Sequence, residues 1–478
     1  MDDTKINEGG VSLLALIMLV ISSAIGAGIF DLTSTLATAA TPGAALVAWL
    51  VTGIGVFSLA MSFKALGAAK PELTGVSDYA RAGFGDFAGF ISGWGYWLSA
   101  WLGNVAFATM LMSAIGYFVP SLKSGNSVLA IVIASLISWA LTFLVTRGIE
   151  GAAKINTVVT IAKLIPLAAF IILGIIMFKM DVFTAHFWEN FTTNLSQIHY
   201  APATGTGIFD QVKGCLMSLM WVFVGIEGAT MMAGRARKKS DAGKATVIGL
   251  LSLLAIYVVI SMLPYGFLTQ EQLMNIDHPA LTYIVEDMIG PVGGAFVSIA
   301  LIISVLGAWL SWTMLPVEAT SLMASQGLLP KWFGKLNARR APANSLYLTQ
   351  VLVQLFLISL LFTDQAYNFA FSLCTAAIVV CYALVGAYQI KLAWERRSVK
   401  MFIPGFLALV FEVVGITFAG LQFLWLCTIA YVLGFAFYYR ARKEAGKTVS
   451  KLEWLMITVI TILAVGAVIA LISGKIGV

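Results

Sequence analysis

The sequence predicts an all-α polytopic membrane protein built as a five-plus-five inverted repeat, with its first and sixth membrane helices broken. Three observations carry that expectation. The 478-residue chain is 60% hydrophobic with only 11% charged residues and a mean hydropathy of +0.92, far from the balance of a soluble protein of this size. Apolar stretches of about 20 residues, the length that crosses a bilayer, recur from end to end. Two of those stretches, the first and the sixth, carry glycines in the middle, where an unpaired backbone is most costly.

In chain order, thirteen candidate spans lie at 11–36, 43–66, 87–118, 126–146, 155–178, 212–234, 245–268, 291–324, 344–363, 367–390, 402–419, 421–439 and 453–474. A turn at Gly420 is what divides 402–439 in two; without it the total is twelve. Met1 to Gly10 is polar and the apolar run behind it is too long for a signal-peptide core, so no cleavable leader is expected. The spans group into a first five-helix repeat over 1–180, a long external loop over 181–211, a second, inverted repeat over 212–390, and peripheral C-terminal helices over 391–478. The aromatics of the long loop suggest that it lies on the membrane face. A second external loop, 269–290, is acidic (Glu271, Asp277, Glu286, Asp287), which usually means only solvation.

Charge sets the orientation. "RARKKSDAGK" (235–244), "KWFGKLNARR" (331–340), "KLAWERRSVK" (391–400) and "RARKEAGKTVSK" (440–451) all fall on the side of the N-terminus. Lys123, Lys179, Lys213 and Lys475 fall opposite, and Lys163 within a span. The positive-inside rule therefore puts the N-terminus in the cytoplasm of a multi-pass inner (plasma) membrane protein. The net charge of +6 is a topology signal, and without a basic surface stripe it gives no reason to expect nucleic acid. Cys215, Cys374, Cys381 and Cys427 lie in spans with no metal spacing and read as buried thiols. His186, His199 and His278 read as solvated loop residues.

The two interruptions read "ISSAIGAGIF" (21–30) and "WVFVGIEGATMMAG" (221–234). Matched breaks in spans one and six that run in opposite directions are the signature of an inverted repeat. A break is tolerated in lipid only where the freed groups line a cavity or are buried in protein. The freed amides of Ala27, Gly28 and Ile29 begin a half-helix and suit a carboxylate. The freed carbonyls around Ser23 to Ile25, and those from Trp221 to Val224, suit an ammonium. Together they describe a receptor for an α-amino acid zwitterion at mid-membrane, with glycine at Gly26 and Gly28 so that the backbone turns and the ligand comes close.

Ionisable residues inside spans are functional candidates by default. Glu227 sits in the sixth break, where it pairs a cationic substrate or gates by protonation. Lys163 either replaces a sodium ion structurally or carries a proton. Glu318 pairs helices or serves transport, Glu412 reads as structural, and Asp31 either ends the half-helix or adds negative potential for a cation. Trp221 and Trp312 fall near the midplane and either close over a ligand or pack the core.

With "GAGIF" (26–30), "AGFGDFAGFISGWGYWLSAWLGN" (82–104), "WVFVGIEGA" (221–229) and "WTMLPVEATSLMASQGLLPKW" (312–332), nearly the whole chain resembles the amino acid–polyamine–organocation superfamily. The nearest likeness is to its basic amino acid/polyamine antiporter branch, which includes arginine–ornithine exchangers. The resemblance implies the LeuT-like inverted-repeat transporter fold and exchange by alternating access. It implies that Gly26, Ala27 and Gly28 hold the substrate carboxylate and amino group, with Ile25 and Val224 beside them. Trp221 then caps the substrate, and Asn104, Trp312 and Cys374 form the side-chain pocket. Glu227 is the gating, proton-sensing glutamate, Tyr96 and Tyr382 are gate tyrosines, and Lys163 matches the fifth-span lysine of proton-coupled or lysine-type relatives. The chain departs from the family's "GIFSLP" and "GGVYAYA" with "GIFDLT" and "TGVSDYA", so that Asp31, Thr33, Ser77 and Asp78 are unusual.

The expected function is exchange of a cationic, arginine-like amino acid for ornithine or a related amine. Histidine/histamine-type exchange and proton-coupled uptake are the alternatives. A non-transporting receptor would need a soluble signalling extension. No nucleophile–base pair or metal set points to an enzyme, and no cofactor is expected. The partners are the amino acid and amine substrates and the bilayer, with a homodimer left open.

Overall fold

The computed structural model describes residues 11–147, 149–188, 207–231, 236–339, 341–362 and 366–476. Met1 to Gly10, His199 and most of the long loop lie outside them. Among the described residues there is no strand, only one isolated bridge between Val11 and Ala236.

The first half runs α1 (Leu13–Ala24), α2 (Leu32–Ala39), α3 (Pro42–Ala69), α4 (Val76–Phe84), α5 (Asp86–Gly116), α6 (Val128–Thr146), α7 (Ile149–Met177) and α8 (Met180–Ala185). The second runs α9 (Ile208–Trp221), α10 (Gly228–Met231), α11 (Lys239–Met262), α12 (Gln270–Met274), α13 (Ala280–Ile289), α14 (Pro291–Ser325), α15 (Ala343–Ser359) and α16 (Ala366–Glu395). The chain closes with α17 (Val399–Ala419), α18 (Leu421–Glu444) and α19 (Lys451–Ile472).

Ten of the described helices are long and apolar enough to cross a membrane unbroken. The interrupted pairs α1/α2 and α9/α10 and the 29-residue α7 complete thirteen segments. Gly420 does divide α17 from α18, and a Cβ there would lie 2.5 Å from Met217 Sδ on α9.

Helix starts follow from local chemistry. Ser12 Oγ accepts from the Ala15 amide at 3.3 Å to open α1, and a Ser450–Glu453 capping box opens α19. Two contacts fix direction. The Arg237 amide donates to Val11 O at 2.8 Å, so the start of the first span meets the end of the sixth on one face, the N-face. The Gly43 amide donates to Phe187 O at 2.9 Å, joining the ends of the first and fifth spans on the opposite, far face. The first and sixth spans therefore run antiparallel.

The helices fall into two packing groups. Helices α1, α3, α9 and α11 pack among themselves, while α14 packs on α5 and α7, and α15 on α5 and α6. Between them lies α16, against both α5 and α3. The apolar stretch of α5 is 89% buried and that of α19 only 17%, because "SGWGYWLSAWLG" (92–103) alternates small residues, which admit neighbouring backbones, with aromatics that fill the space between them. The C-terminal helices are not uniformly peripheral, since α17 docks on α16, α3 and α9.

Candidate functional site

The first break opens where α1 stops at Ala24 and a tight turn over Gly28–Phe30 leads into α2. Among the described residues the amides of Ala27, Gly28 and Ile29 meet no protein acceptor. The carbonyls before them are largely taken. Lys163 Nζ donates to Ser22 O and Ile25 O at 2.6 Å each, and the Trp312 indole donates to Ser23 O at 3.1 Å. Lys163 Nζ thus sits against the C-terminal end of α1, the end of a helix that suits a basic group. The ammonium-binding carbonyls expected at Ser23 to Ile25 have protein donors instead.

The sixth break is built differently. Gly225 adopts φ +110°, and a Cβ on it would meet Ser23 O at 2.8 Å, so both its conformation and its neighbour require glycine. Its carbonyl accepts from Ser23 Oγ at 2.7 Å, which ties the two breaks together. Its amide donates to Glu227 Oε2 at 3.2 Å, and Tyr382 O–H donates to the same oxygen at 2.5 Å. Glu227 Oε1 is buried without a partner.

Between the breaks lies a tight cavity lined by Gly26, Ala27, Gly28, Trp221, Val224, Trp312 and Cys374, together with Ser23, Ala24, Gly103, Phe107 and Val222. The space between atoms there, open solvent included, is about 310 Å³. Gly28 is in close contact with the Trp221 indole: a Cβ there would lie 2.9 Å from its Nε1. The Trp221 ring stacks on Phe371 at 6.0 Å and leans on Phe107 at 6.1 Å, with its indole 3.4 Å from Tyr367 Oη. Cys374 Sγ lies 3.1 Å from Ser99 Oγ.

The structure does not bring every candidate to this cavity. Ile25 is fully buried and engaged through its carbonyl. Asn104 lies just behind: its amide donates to Trp312 O at 3.3 Å, and its Oδ1 has no partner. Tyr96 packs 6.4 Å from the Trp312 ring, its hydroxyl buried and unpartnered. Tyr382 and Glu227 stand behind the sixth break. The aromatic surround of Phe107, Phe371 and Tyr367 escaped the sequence reading, although Phe107 and Phe371 each stand three residues from a candidate, Asn104 and Cys374.

Outside the cavity, Glu318 is exposed. Glu412 is buried and lines a second small cavity with Tyr382, Phe223 and Ile226. The four cysteines are buried and free. Asp78 accepts from the Thr74 amide at 2.9 Å and from Gln326 Nε2 at 2.5 Å, fastening α4 to the N-face end of α14. Asp31 neither caps α2 with its side chain nor lines the cavity. Its Oδ1 pairs with His278 Nδ1 at 2.6 Å and accepts from the Ala280 amide at 3.0 Å. The expectation that His278 is merely solvated is therefore corrected: one ring nitrogen is held, although 56% of the side chain is open.

Two antiparallel broken helices around a buried cavity, in a bundle of apolar helices, define a membrane transporter rather than an enzyme. Residues 11–474 match the amino acid permease family, and the chain belongs to it. The chain is 56% identical over 98% of both chains to an arginine/ornithine antiporter of Latilactobacillus sakei. It is 49% identical to arginine/ornithine antiporter ArcD1 of Lactococcus lactis subsp. cremoris, over 98% of this chain and 91% of that one. An arginine/agmatine antiporter of Chlamydia caviae is 36% identical over 98% of this chain and 96% of its own.

Proposed function

We propose that this protein exchanges arginine for ornithine across the plasma membrane by alternating access. The observation that carries the reading is the amide face of Ala27–Ile29 under the Trp221 lid, in a chain whose relatives at 49–56% identity are named arginine/ornithine antiporters. The substrate carboxylate is held by those amides at the start of the outer half-helix. The ammonium lies toward the carbonyls of Val222 and Val224, which meet no donor among the described residues. The cationic side chain points between Trp312, Cys374 and Asn104, whose free Oδ1 supplies an acceptor. Arginine and ornithine carry the same charge, so their exchange moves none.

In this reading Lys163 is a built-in cation that holds the first break in place of a metal ion, and Glu227 with Tyr382 forms the gate. The inverted repeats comprise residues 1–180 and 212–390, with the N-terminus cytoplasmic, supported by the loop charges and the antiparallel first and sixth spans.

Counterflow in proteoliposomes tests the reading. Liposomes loaded with ornithine should take up labelled arginine, and empty ones should not. Uptake into empty liposomes driven by a pH gradient alone would replace exchange with proton-coupled uptake.

A further inference from the structure

On the far face, segment 275–280 spans the gap between the two packing groups. Toward one group it is tied to α2, the outer half of the broken first span, through His278 and the Ala280 amide on Asp31. Toward the other, Asp277 receives Lys123 Nζ at 2.6 Å from the turn after α5, and α13, which the segment leads into, packs on α14. A change of access on this side requires α2 to move relative to α5 and α14.

We propose that His278 and Asp31 form a proton-dependent latch: the charged imidazole holds α2 against the α5–α14 group, and its loss of charge frees α2 to open the cavity to the far face. The chemistry is asymmetric in a useful way. Asp31 is 2% exposed and His278 is 56% exposed at its side chain, so solvent protons reach the histidine while the carboxylate stays buried. The Asp31 carboxylate holds the imidazole above its ordinary value. The pair is therefore complete below the ordinary histidine range and is lost as pH rises through that raised value. Once the histidine is neutral, Asp31 is a buried carboxylate without a cation, and such a charge favours the state that exposes it.

Asp277, in the same segment, is matched by Lys123, whose ammonium that contact holds above its usual value. Around Lys123 stand Tyr283 and Glu286 of α13 and Tyr117 beyond α5. Tyr367 of α16 lies on the Asp31 side. Histidine is the side chain whose ordinary range lies between roughly pH 5 and 8.

The latch is separate from the substrate assignment and from any role of Glu227, and its test uses a native reporter. Cys374 lines the cavity and is 1% exposed, so an impermeant thiol reagent on the far side reaches it only when that side opens. With full-length protein in vesicles of one orientation, Cys374 modification is followed by peptide mass as far-side pH is varied. The rate relative to that of His278→Gln, which reports the thiol's own titration, should climb about fivefold as pH crosses the histidine step. Asp31→Asn should be as flat as His278→Gln. A wild-type rate that tracks His278→Gln at every pH, or no far-side labelling at all, overturns the latch. Arginine/ornithine counterflow in the same vesicles separates the two claims, because failed exchange with an intact labelling step refutes only the substrate.

Discussion

The two breaks interrupt their helices at matching places, yet they are stabilised by opposite means. At the first, the exposed carbonyl end of α1 is met by the Lys163 ammonium and the Trp312 indole, and the amide end is left facing the cavity. At the sixth, the Gly225 amide and the Tyr382 hydroxyl converge on the Glu227 carboxylate. One break receives a basic side chain and presents donors, whereas the other carries an acid. In the proposed exchange, the donors at the first break are what would receive the carboxylate of a zwitterion. Ser23, bonded to Gly225 O at 2.7 Å, ties the two together.

The comparison is broken most severely at Gly225. Gly225→Ala puts a side chain where φ and Ser23 O both forbid it, and exchange should fall by at least about 100-fold, the cost of misplacing a site by about an ångström. Counterflow at wild-type rates in that variant would mean that the breaks are not coupled through this contact. Lys163→Met comes next. It strands two buried carbonyls at about 1–3 kcal/mol each, so the melting temperature in detergent should drop together with exchange, and an unchanged melting curve would remove the built-in cation. Glu227→Gln sharpens the contrast. It keeps a carbonyl oxygen for the Gly225 and Tyr382 donors, so stability should change by less than about 1 kcal/mol while exchange falls about tenfold; undiminished counterflow at every pH would end its gating role. The smallest effect belongs to Trp221→Phe, which retains the ring over Gly28 and loses only a long bond to Tyr367. Its apparent KM for arginine should rise about threefold, the range of a weakened cation–ring contact; no change would assign Trp221 to packing.

Much of this was legible in the sequence because a bilayer imposes length and apolarity on every span. All thirteen segments are present among the described residues, including the division at Gly420, which packs against Met217 on another helix. Seven of the candidate site residues, Gly26, Ala27, Gly28, Trp221, Val224, Trp312 and Cys374, converge on the cavity. What was hidden is partnership across long separations. The carbonyls of Ser22 and Ile25 look free until Lys163 arrives from the fifth span. Asp31 looks like a substrate determinant until His278, 247 residues away, closes on it. Asp78, unusual against the resembled pattern, anchors α4 to Gln326.

The sequence by itself determined the apolar spans to within the one division at Gly420, the positions of the two breaks and the identity of the residues placed there, since helix length in lipid and the need for glycine at a backbone turn are local demands. Only the tertiary structure decided which freed groups remain available. A buried polar group takes whichever partner the packing brings to it, and at the first break packing spent the carbonyls on Lys163 and Trp312 and left the amides of Ala27 to Ile29 open.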